Sequence, residues 1–457
     1  MFILGRSASP QIFFALSPKR IAPKNRCTLK RAKRWLIFRL TQIHSSVDSI
    51  TGLVGQCRGI PASGRRMGKP RSCVGRARPP CGKPEVAVPA MALLALGLCA
   101  AAGAADCPSA CQCSPRANRP GLQVECKTQG LTAVPAALPR ATAVLNMGQN
   151  KIGRLGAGTL RKIPNLRSLN LEHNRLRELH PDAFAGTAKL VTLNFYDNQL
   201  GELPAGVFRN LVSLRYLLIG KNQILSLQPD ALRGLGNLTD LDMPLNNVSR
   251  LPALLFRHAP RLRVLDLAYN RVARASPLAL RGLRRLELLN LGGNRLSAVP
   301  PGLFAGLRRL DMLVLDNNRL AGVGGEALRG LAVLTQLYLS NNRLRHVAPA
   351  AFRHTPRLTQ LALSGNCLAT LDAGALARLS GLQQVFLHDN PWRCDCSAKP
   401  LLGWLLNSRV RLFPNSSLVC AAPPGVRGRS LHALSPSALG CERNRSAPRT
   451  RLPARRG

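Results

Sequence analysis

The chain has 457 residues and a formal net charge of +44, because 65 Lys and Arg side chains stand against 21 Asp and Glu. A charge of this size should attract polyanions such as nucleic acid, sulfated glycans or anionic lipid surfaces. The 14 cysteines argue against a reducing cytosol unless they bind metal. The length leaves open two or three ordinary domains or one elongated repeat array.

The first 90 residues form a basic segment without a repeat or a clear alternation of apolar and polar residues. We expect residues 1–90 to be disordered or not to belong to the native protein. The next stretch, residues 91–104 (MALLALGLCAAAGA), is uncharged and ends on small residues. It is shorter than the roughly 20 apolar residues of a membrane-spanning helix. It therefore fits a signal peptide better than a membrane span or a buried core helix.

The initiating methionine of this signal peptide stays open. No Lys or Arg lies between Met91 and the apolar run, whereas a start at Met67 would supply several basic residues. In either case we expect the mature chain to begin at Ala105 or Asp106.

Two clusters of four cysteines predict caps at residues 105–141 and 391–441. The first cluster is Cys107, Cys111, Cys113 and Cys126, and the second is Cys394, Cys396, Cys420 and Cys441. The sequence alone permits three disulfide connectivities in each cluster, and zinc binding is the alternative. Neither cluster has histidine at ligand spacing, so we expect no metal.

Between the clusters an asparagine recurs every 24 residues, eleven times in register. These residues are Asn150, Asn174, Asn198, Asn222, Asn246, Asn270, Asn294, Asn318, Asn342, Asn366 and Asn390. The pattern LxxLxLxxN surrounds them, as in LRSLNLEHN (166–174) and LRVLDLAYN (262–270), and it is typical of leucine-rich repeats. We therefore predict an α/β fold: a curved leucine-rich-repeat solenoid with a parallel concave sheet, eleven repeats over residues 142–390 and disulfide-bonded caps.

The spacing within each repeat predicts where its side chains go. The two leucines of LxL point to the core side of a short strand, and the residues beside them point to the open side. The asparagine carries donor and acceptor groups, so it can bond backbone groups where the chain leaves the strand. The Leu or Phe ten residues after each of the first ten asparagines is expected to fill the core from the convex side.

The open side of the sheet is the predicted ligand-binding surface. Its four positions per repeat hold one basic residue, Lys221, seven acidic residues and all four tyrosines of the chain. Tyrosine offers a large contact area at low conformational cost and is enriched at recognition surfaces, although strands favour it in any case. The predicted ligand-binding residues are Tyr196, Asp197, Tyr216, Asp240, Asp242, Asp266, Tyr269, Asp316, Tyr338, Phe386, His388 and Asp389.

Arginine is concentrated elsewhere, on convex turns and in runs such as RGLRR (281–285) and GLRR (306–309). Residues 442–457 form a basic tail that we expect to be disordered. The arginines predicted to bind polyanions in the tail are Arg443, Arg445, Arg449, Arg451, Arg455 and Arg456. Arginine forms bidentate pairs with oxyanions; the alternative is that the arginine content reflects solvation or GC-rich coding.

Two further features concern covalent modification. N-x-S/T sequons at Asn237, Asn247, Asn415 and Asn444 predict N-glycosylation. A glycan at Asn247 would stand near the concave rim and limit what can dock there. Cys367 lies outside both clusters, and we expect a half-buried free thiol or an intermolecular disulfide.

The cap motifs CPSACQC…VEC and NPWRCDC…GWL…C…C, together with the repeats, resemble extracellular leucine-rich-repeat proteins of the chondroadherin and nyctalopin group. The resemblance covers Cys107 to Cys441; the small leucine-rich proteoglycans are a looser match, because their N-terminal cysteine spacing differs. It implies four disulfides: Cys107–Cys113, Cys111–Cys126, Cys394–Cys420 and Cys396–Cys441. It also implies adhesion, matrix organisation or ligand capture.

No catalytic motif is present: the eight histidines are dispersed, and HExxH, GxSxG and P-loop patterns are absent. We expect no enzymatic activity and no cofactor. The expected protein is secreted to the extracellular space or matrix, with a protein ligand on the concave face and sulfated glycosaminoglycan on basic surfaces. No apolar stretch follows Cys441, so no membrane insertion is expected.

Three alternatives remain at this point. One is a regulatory or carrier subunit of a secreted enzyme, resembling the repeat subunit of plasma carboxypeptidase N. Another is a soluble, receptor-like ligand trap. Nuclear nucleic-acid binding would require a reduced, unglycosylated protein, and we therefore expect no nucleic-acid partner.

Overall fold

The computed structural model describes residues 107–413, 418–435 and 437–439. The basic segment 1–90, the signal peptide 91–104 and the tail 442–457 with its six predicted polyanion-binding arginines lie outside the described residues. Cys441 and the sequons at Asn415 and Asn444 also lie outside them. The boundaries predicted for the segments and caps stay predictions.

One fourteen-stranded sheet runs through the described residues, and its strands follow one another in chain order. The strands are Gln112–Pro115, Leu122–Glu125, Thr142–Asn146, Ser168–Asn170, Thr192–Asn194, Tyr216–Leu218, Asp240–Asp242, Val264–Asp266, Leu288–Asn290, Met312–Val314, Gln336–Tyr338, Gln360–Ala362, Gln384–Phe386 and Arg411–Leu412. The first two strands are antiparallel, and every later pair of neighbours is parallel. The predicted α/β leucine-rich-repeat solenoid with a parallel concave sheet is confirmed.

The register of this sheet reproduces the sequence period. Leu289 pairs with Leu313, and Leu337 pairs with Leu361, so that equivalent residues of successive repeats lie side by side. Each strand is short because only the leucine and its two neighbours keep the extended conformation before the chain turns out at the asparagine. A fixed period therefore gives a fixed stack of equivalent side chains.

The rest of each repeat returns through turns and short pairings. Two-residue or three-residue strands pair in parallel as Arg154–Leu155 with Glu178–Leu179, Arg250–Leu251 with Arg274–Ala275, Gly322–Val323 with His346–Val347, and Trp392–Arg393 with Cys420–Ala422. Helix α1 spans Ala373–Ala377 and α2 spans Lys399–Asn407. Single 3₁₀ turns are Cys396–Ala398, Pro424–Val426, Leu431–Ala433 and Ser437–Leu439.

The core lies between the sheet and the convex turns. The strand leucines, such as Leu169, Leu265 and Leu313, are fully buried. The predicted convex row is also buried, each side chain at most 1% exposed: Leu160, Phe184, Phe208, Leu232, Phe256, Leu280, Phe304, Leu328, Phe352 and Leu376. Burying such side chains contributes about 1.5–3 kcal/mol each before entropy is counted. Stacking is what provides this burial, since one repeat alone leaves both of its faces open.

The asparagines form a continuous ladder of side-chain to backbone hydrogen bonds. Asn174 is representative: its Nδ2 donates to the carbonyls of Met147 at 2.9 Å and Leu171 at 3.0 Å. Its Oδ1 accepts from the backbone N–H of Ile152 at 3.0 Å. Each ladder residue thus ties the turn of its own repeat to the preceding one, and the predicted role of these asparagines is confirmed.

Disulfide bonds close both ends of the array. Three of the four predicted pairs are present: Cys107–Cys113, Cys111–Cys126 and Cys394–Cys420. Cys396 is disulfide-bonded as well; its predicted partner, Cys441, lies outside the described residues. At the C-terminal end Trp392 is 2% exposed and donates its indole N–H to the carbonyl of Leu387 at 3.0 Å, which seals the last repeat.

Candidate functional site

The concave face is the side of the parallel sheet that carries the residues beside the two strand leucines. Because strand side chains alternate, this face presents equivalent positions of all repeats in straight rows. Among its tyrosines, Tyr216 is 43% exposed and Tyr269 is 45% exposed. Tyr196 and Tyr338 are half-buried. A ligand can therefore reach two large aromatic side chains directly and two more at their edges.

The N-terminal part of the face carries paired charges. The Lys221 Nζ lies 2.8 Å from the Asp197 Oδ2, and the His173 Nδ1 lies 2.7 Å from the same oxygen. His173 and Tyr196 also meet edge to face, with ring centroids 6.2 Å apart. The basic residue that sequence reasoning found on this face is thus neutralised within the face, so the remaining acidic residues dominate its charge.

Three residues in the middle of the face form what we call the central acidic cluster: Tyr269, Asp316 and Tyr338. The carboxylate of Asp316 is half-buried and accepts the backbone N–H of Ser340. Burial raises the pKa of Asp316 to about 7, only partly opposed by that hydrogen bond. Burial, followed by the nearby Asp316 carboxylate, raises the pKa of Tyr269 and of Tyr338. Both phenols therefore stay protonated and can donate hydrogen bonds at neutral pH.

A pair of glycines makes room for this cluster. A Cβ atom at Gly293 would lie 2.6 Å from the ring of Tyr269, and one at Gly292 would lie 3.3 Å from the Val314 side chain. Tyr269 itself has a φ of 52°, a left-handed conformation that is uncommon for a bulky residue. The tyrosine ring thus lies over bare backbone of the next repeat and reaches towards Asp316.

Next to this cluster lies a row of glutamines that sequence reasoning missed. Gln336, Gln360 and Gln384 occupy the same register position of three successive strands. The Tyr338 hydroxyl is shared between the Oε1 atoms of Gln360 at 3.1 Å and Gln336 at 3.3 Å. The Nε2 of Gln360 is buried and has no hydrogen-bond partner among the described residues. The repeated glutamine at a 24-residue interval was the available sequence signal.

Several predicted ligand-binding residues are less accessible than the alternation of strand side chains suggested. Asp242 is 4% exposed, Asp266 is 8% exposed and Phe386 is 9% exposed. The Asp266 Oδ1 accepts the backbone N–H of Ala268 at 2.9 Å, as Asn290 does for Gly292 at 3.0 Å. The residue between the strand leucines thus stabilises the following turn, so the expectation that Asp242, Asp266 and Phe386 stand open to a ligand is wrong.

The remaining predicted residues contact other side chains of the described chain. Asp240 accepts the Thr239 hydroxyl at 2.6 Å, and burial raises the pKa of its carboxyl group. Near the C-terminal cap the His388 Nδ1 lies 2.7 Å from the exposed Asp389 carboxylate. The ring of Phe386 contacts Phe413, with centroids 5.3 Å apart. A ligand role for each of these residues stays a prediction.

Three modifiable residues are among the described ones, Asn237, Asn247 and Cys367, and they lie outside the rows of the concave face. The Asn237 side chain donates to the carbonyl of Val212 at 2.8 Å and accepts from Arg261. Asn247 is half-buried and follows a ladder asparagine. Cys367 is exposed and unpaired among the described residues, which confirms the expected free thiol there and corrects its expected half-burial.

A family model described as leucine rich repeat matches residues 140–200, 193–248, 237–296, 284–344 and 332–391, together more than half of the chain. The chain belongs to the leucine-rich-repeat family. Disulfide bonds form and persist in oxidising environments, so the caps of this leucine-rich-repeat protein indicate an extracellular or cell-surface location. Among the described residues, no helix is long and apolar enough to cross a membrane.

Relatives in sequence share short stretches of the repeat array. Leucine-rich repeat-containing protein 3 of Mus musculus is 38% identical over 84 residues, which is 18% of this chain and 32% of the relative. Chondroadherin-like protein of Homo sapiens is 35% identical over 106 residues, 23% of this chain and 13% of the relative. The chain thus spans about a third of the length of the first of these leucine-rich-repeat relatives.

Solved structures extend the likeness to most of the fold. A chain from the octameric complex of Latrophilin 3 (Lec, Olf), Unc5D (Ig, Ig2, TSP1) and FLRT2 (LRR) matches with a TM-score of 0.64 and 28% identity, over 74% of this chain and 100% of that chain. A leucine-rich-repeat protein of Leptospira interrogans matches with a TM-score of 0.55 and 24% identity, over 65% of this chain and 72% of that chain. The second match shows the fold alone.

Proposed function

We propose that this leucine-rich-repeat protein is a secreted, non-catalytic binding protein of the extracellular space or matrix. It captures a protein ligand on its concave face and associates with sulfated glycosaminoglycan through its basic surfaces. Adhesion, matrix organisation and ligand capture are the roles that such a molecule serves.

One observation carries the protein-binding part of this proposal. All four tyrosines of a chain with a net charge of +44 lie on the concave face, among acidic side chains. Tyr216 and Tyr269 are each more than 40% exposed there. Exposed tyrosine is enriched at protein interfaces, because it buries a large area with few rotatable bonds.

The central acidic cluster indicates which chemical groups a ligand would present to the concave face. The Asp316 carboxylate and the tyrosine rings favour a basic side chain, and the protonated Tyr269 phenol can donate a hydrogen bond to a ligand acceptor. The unpaired Nε2 of Gln360 favours a ligand carbonyl nearby, because a buried amide donor without a partner is costly. The similar chain in the complex of Latrophilin 3, Unc5D and FLRT2 belongs to an assembly of several proteins, and this supports a protein ligand here too.

The test is a binding screen with the full chain secreted from cultured cells and immobilised. Purified ectodomains and secreted enzymes serve as analytes, and each hit is measured again with the double variant Tyr216→Ser, Tyr269→Ser. The matched control is Arg161→Ser, Arg233→Ser, which alters two exposed side chains of the convex turns.

We expect the tyrosine variant to lose at least about tenfold in affinity for an extracellular ligand, as removal of interface anchors does, while the control keeps wild-type affinity. Hits that bind both variants equally would exclude the concave face as the ligand site. A secreted enzyme that binds with one-to-one stoichiometry would favour the carrier-subunit alternative. N-terminal sequencing of the secreted material tests the signal peptide, and retention in the cytosol with residues 1–90 attached would contradict the proposal.

A further inference from the structure

Five exposed arginines lie together where the chain enters three consecutive strands. Arg284 and Arg285 precede one strand, Arg308 and Arg309 occupy the equivalent positions of the next repeat, and Arg261 matches Arg285 in the repeat before. We call these five residues the arginine edge. The two pairs come from the matching sequences GLRRLELL and GLRRLDML.

Buried neighbours hold these arginine pairs in place. Arg284 and Arg285 stand between Leu283 and Leu286, and both leucines are fully buried. The backbone N–H of Arg284 donates to the carbonyl of Gly282 at 2.8 Å. With the leucines anchored in the core, the arginine side chains on either side of the turn must point to solvent.

The next repeat presents its pair in the same way. Arg308 and Arg309 stand between the fully buried Leu307 and Leu310. The strands that follow are paired in register, with Leu288 opposite Met312. Neighbouring strands lie about 4.8 Å apart, so the backbones of Arg261, Arg285 and Arg309 form a row about 10 Å long.

The carboxylates closest in sequence are committed to other partners. Both oxygens of Glu287 accept from the Arg263 guanidinium, at 2.7 Å each. Asp311 accepts the hydroxyl of Thr335. Among the ion pairs between described residues, none involves a member of the arginine edge. Arg261 donates to the uncharged Asn237 side chain instead.

The convex turns show the contrasting arrangement. There Arg209 pairs with Asp182, and Arg257 pairs with Asp230 at 2.7 Å, each acid lying in the preceding repeat. The fold thus can provide a carboxylate one repeat away from an arginine and does so on the convex side. At the arginine edge it leaves the positive charges close together without one, and such a cluster attracts anions.

We propose that the arginine edge is a binding site for a sulfated glycosaminoglycan chain. This inference rests on the proposed function and gives its polyanion a place in the fold. A guanidinium group offers a planar fork of donors that matches the oxygens of a sulfate group. A straight row of such forks across stacked repeats suits a linear polyanion, and the disulfide-bonded caps favour the sulfated polysaccharides of the cell exterior over nucleic acid.

The test compares two variants of the full chain with equal loss of charge. The edge variant is Arg284→Gln, Arg285→Gln, Arg308→Gln, Arg309→Gln. The control variant is Arg140→Gln, Arg161→Gln, Arg233→Gln, Arg378→Gln, which changes four exposed arginines that are separated from one another along the array. The probe is immobilised heparin, and the affinity is measured at about 0.15 M salt, where distant charges are largely screened.

We expect the edge variant to lose at least about tenfold in heparin affinity, while the control stays within about twofold, because only clustered arginines contact the chain directly. Replacement of the same four edge residues by Lys should give an intermediate loss, since the charge remains but the planar fork does not. Far-ultraviolet circular dichroism and the Tm identify a variant that fails to fold, in which case the Lys variant decides the question.

The possible failures are distinguishable. Wild-type protein that does not bind heparin would contradict the glycosaminoglycan part of the proposed function as well as this site. Wild-type binding that survives in the edge variant but disappears when the six tail arginines are changed would overturn the site and leave the proposed function standing. Duplex DNA that binds as tightly as heparin, with the same sensitivity to the edge variant, would overturn the assignment to sulfated polysaccharide.

Discussion

The ladder asparagines and the residues immediately before them are neighbours in every repeat, yet the two rows differ in how much the residue type varies. The ladder residue never changes from Asn150 to Asn390. The preceding row is varied: Gln149, His173, Asp197, Lys221, Leu245, Tyr269, Gly293, Asn317, Asn341, Gly365 and Asp389. All eleven residues of this varied row have a positive φ, so their backbone is as uniform as the ladder.

The difference lies in which atoms each row uses. The ladder asparagine bonds neighbouring backbone groups through its side chain, so a side chain without a donor and an acceptor leaves those groups without partners. A residue of the varied row uses its backbone: the Tyr269 N–H, for example, donates to the carbonyl of Gly292 at 2.8 Å. Its side chain is free to face a ligand. The invariant asparagine side chains therefore stabilise the fold, whereas the varied side chains on a uniform backbone can form the recognition surface.

The largest expected effect comes from the ladder. In Asn270→Ala the carbonyls of Met243 and Leu267 lose the Nδ2 donor, and the N–H of Val248 loses the Oδ1 acceptor. Because these groups are buried, we expect a loss of about 3 kcal/mol or more in the free energy of unfolding, measured with urea. The exposed neighbour Arg271→Ala is the control, with a change of about 0.5 kcal/mol or less. Equal losses in both variants would remove the distinction between the rows.

A smaller effect is expected from Asp316, a residue of the concave face whose pKa is raised to about 7 in the folded protein. Between the unfolded pKa of about 3.9 and this value the native state binds the extra proton, so stability is greatest at low pH and falls as pH rises through 7. We expect Asp316→Asn to remove this slope, on the order of 2 kcal/mol between pH 5 and 8. Tyr269 and Tyr338 ionise above this window and do not obscure it. Urea titrations at several pH values measure the slope, and an unchanged slope in the variant would contradict the assignment.

Gly293→Ala tests whether the Tyr269 ring needs a neighbour without a Cβ atom in the varied row. Its φ is +67°, and the new Cβ would lie 2.6 Å from the Tyr269 ring. We expect a loss of about 1–2 kcal/mol. Gly302→Ala is the matched control, because its φ is +82° and no atom lies within 4 Å of the new Cβ. In a Tyr269→Ala background the two glycine substitutions should cost the same; a persisting difference would mean that the tyrosine ring is not the obstacle.

The smallest effect is expected at Leu245, whose φ of 57° is unfavourable for a side chain with a Cβ. Leu245→Gly should stabilise the fold by about 0.5 kcal/mol, because relief of the left-handed strain slightly exceeds the added entropy of the unfolded chain. Thermal unfolding measures it. A loss of stability would show that the Leu245 side chain, and not only its backbone, supports the fold.

Particular residues show which features of the structure could be predicted from the sequence. The 24-residue period predicted the register of Leu289 with Leu313. The resemblance to extracellular leucine-rich-repeat proteins, and not the spacing of the cysteines, implied the partners of Cys107, Cys111 and Cys394. Strand alternation placed Tyr216 and Tyr269 on an open face, and both are well exposed. The register and the open face follow from local spacing, which is repeated from one unit to the next.

The same alternation could not predict that Asp266 and Phe386 are buried, or that Gln360 has an unpaired amide donor. Nor did it predict that Tyr269 leans across Gly293 towards Asp316. These arrangements depend on how far one side chain extends over a neighbouring repeat, and on whether the side chains of that repeat are small enough to leave space for it.

By itself, then, the sequence determined the solenoid, its register, its asparagine ladder and the set of side chains on its concave face, because each of these is fixed by a spacing along the chain. Only the tertiary structure decided which of those side chains a ligand can reach and which carboxyl groups have a raised pKa. It also decided which arginines form no ion pair among the described residues. Burial and charge pairing arise between repeats that are 24 or more residues apart, where the outcome depends on distances in space.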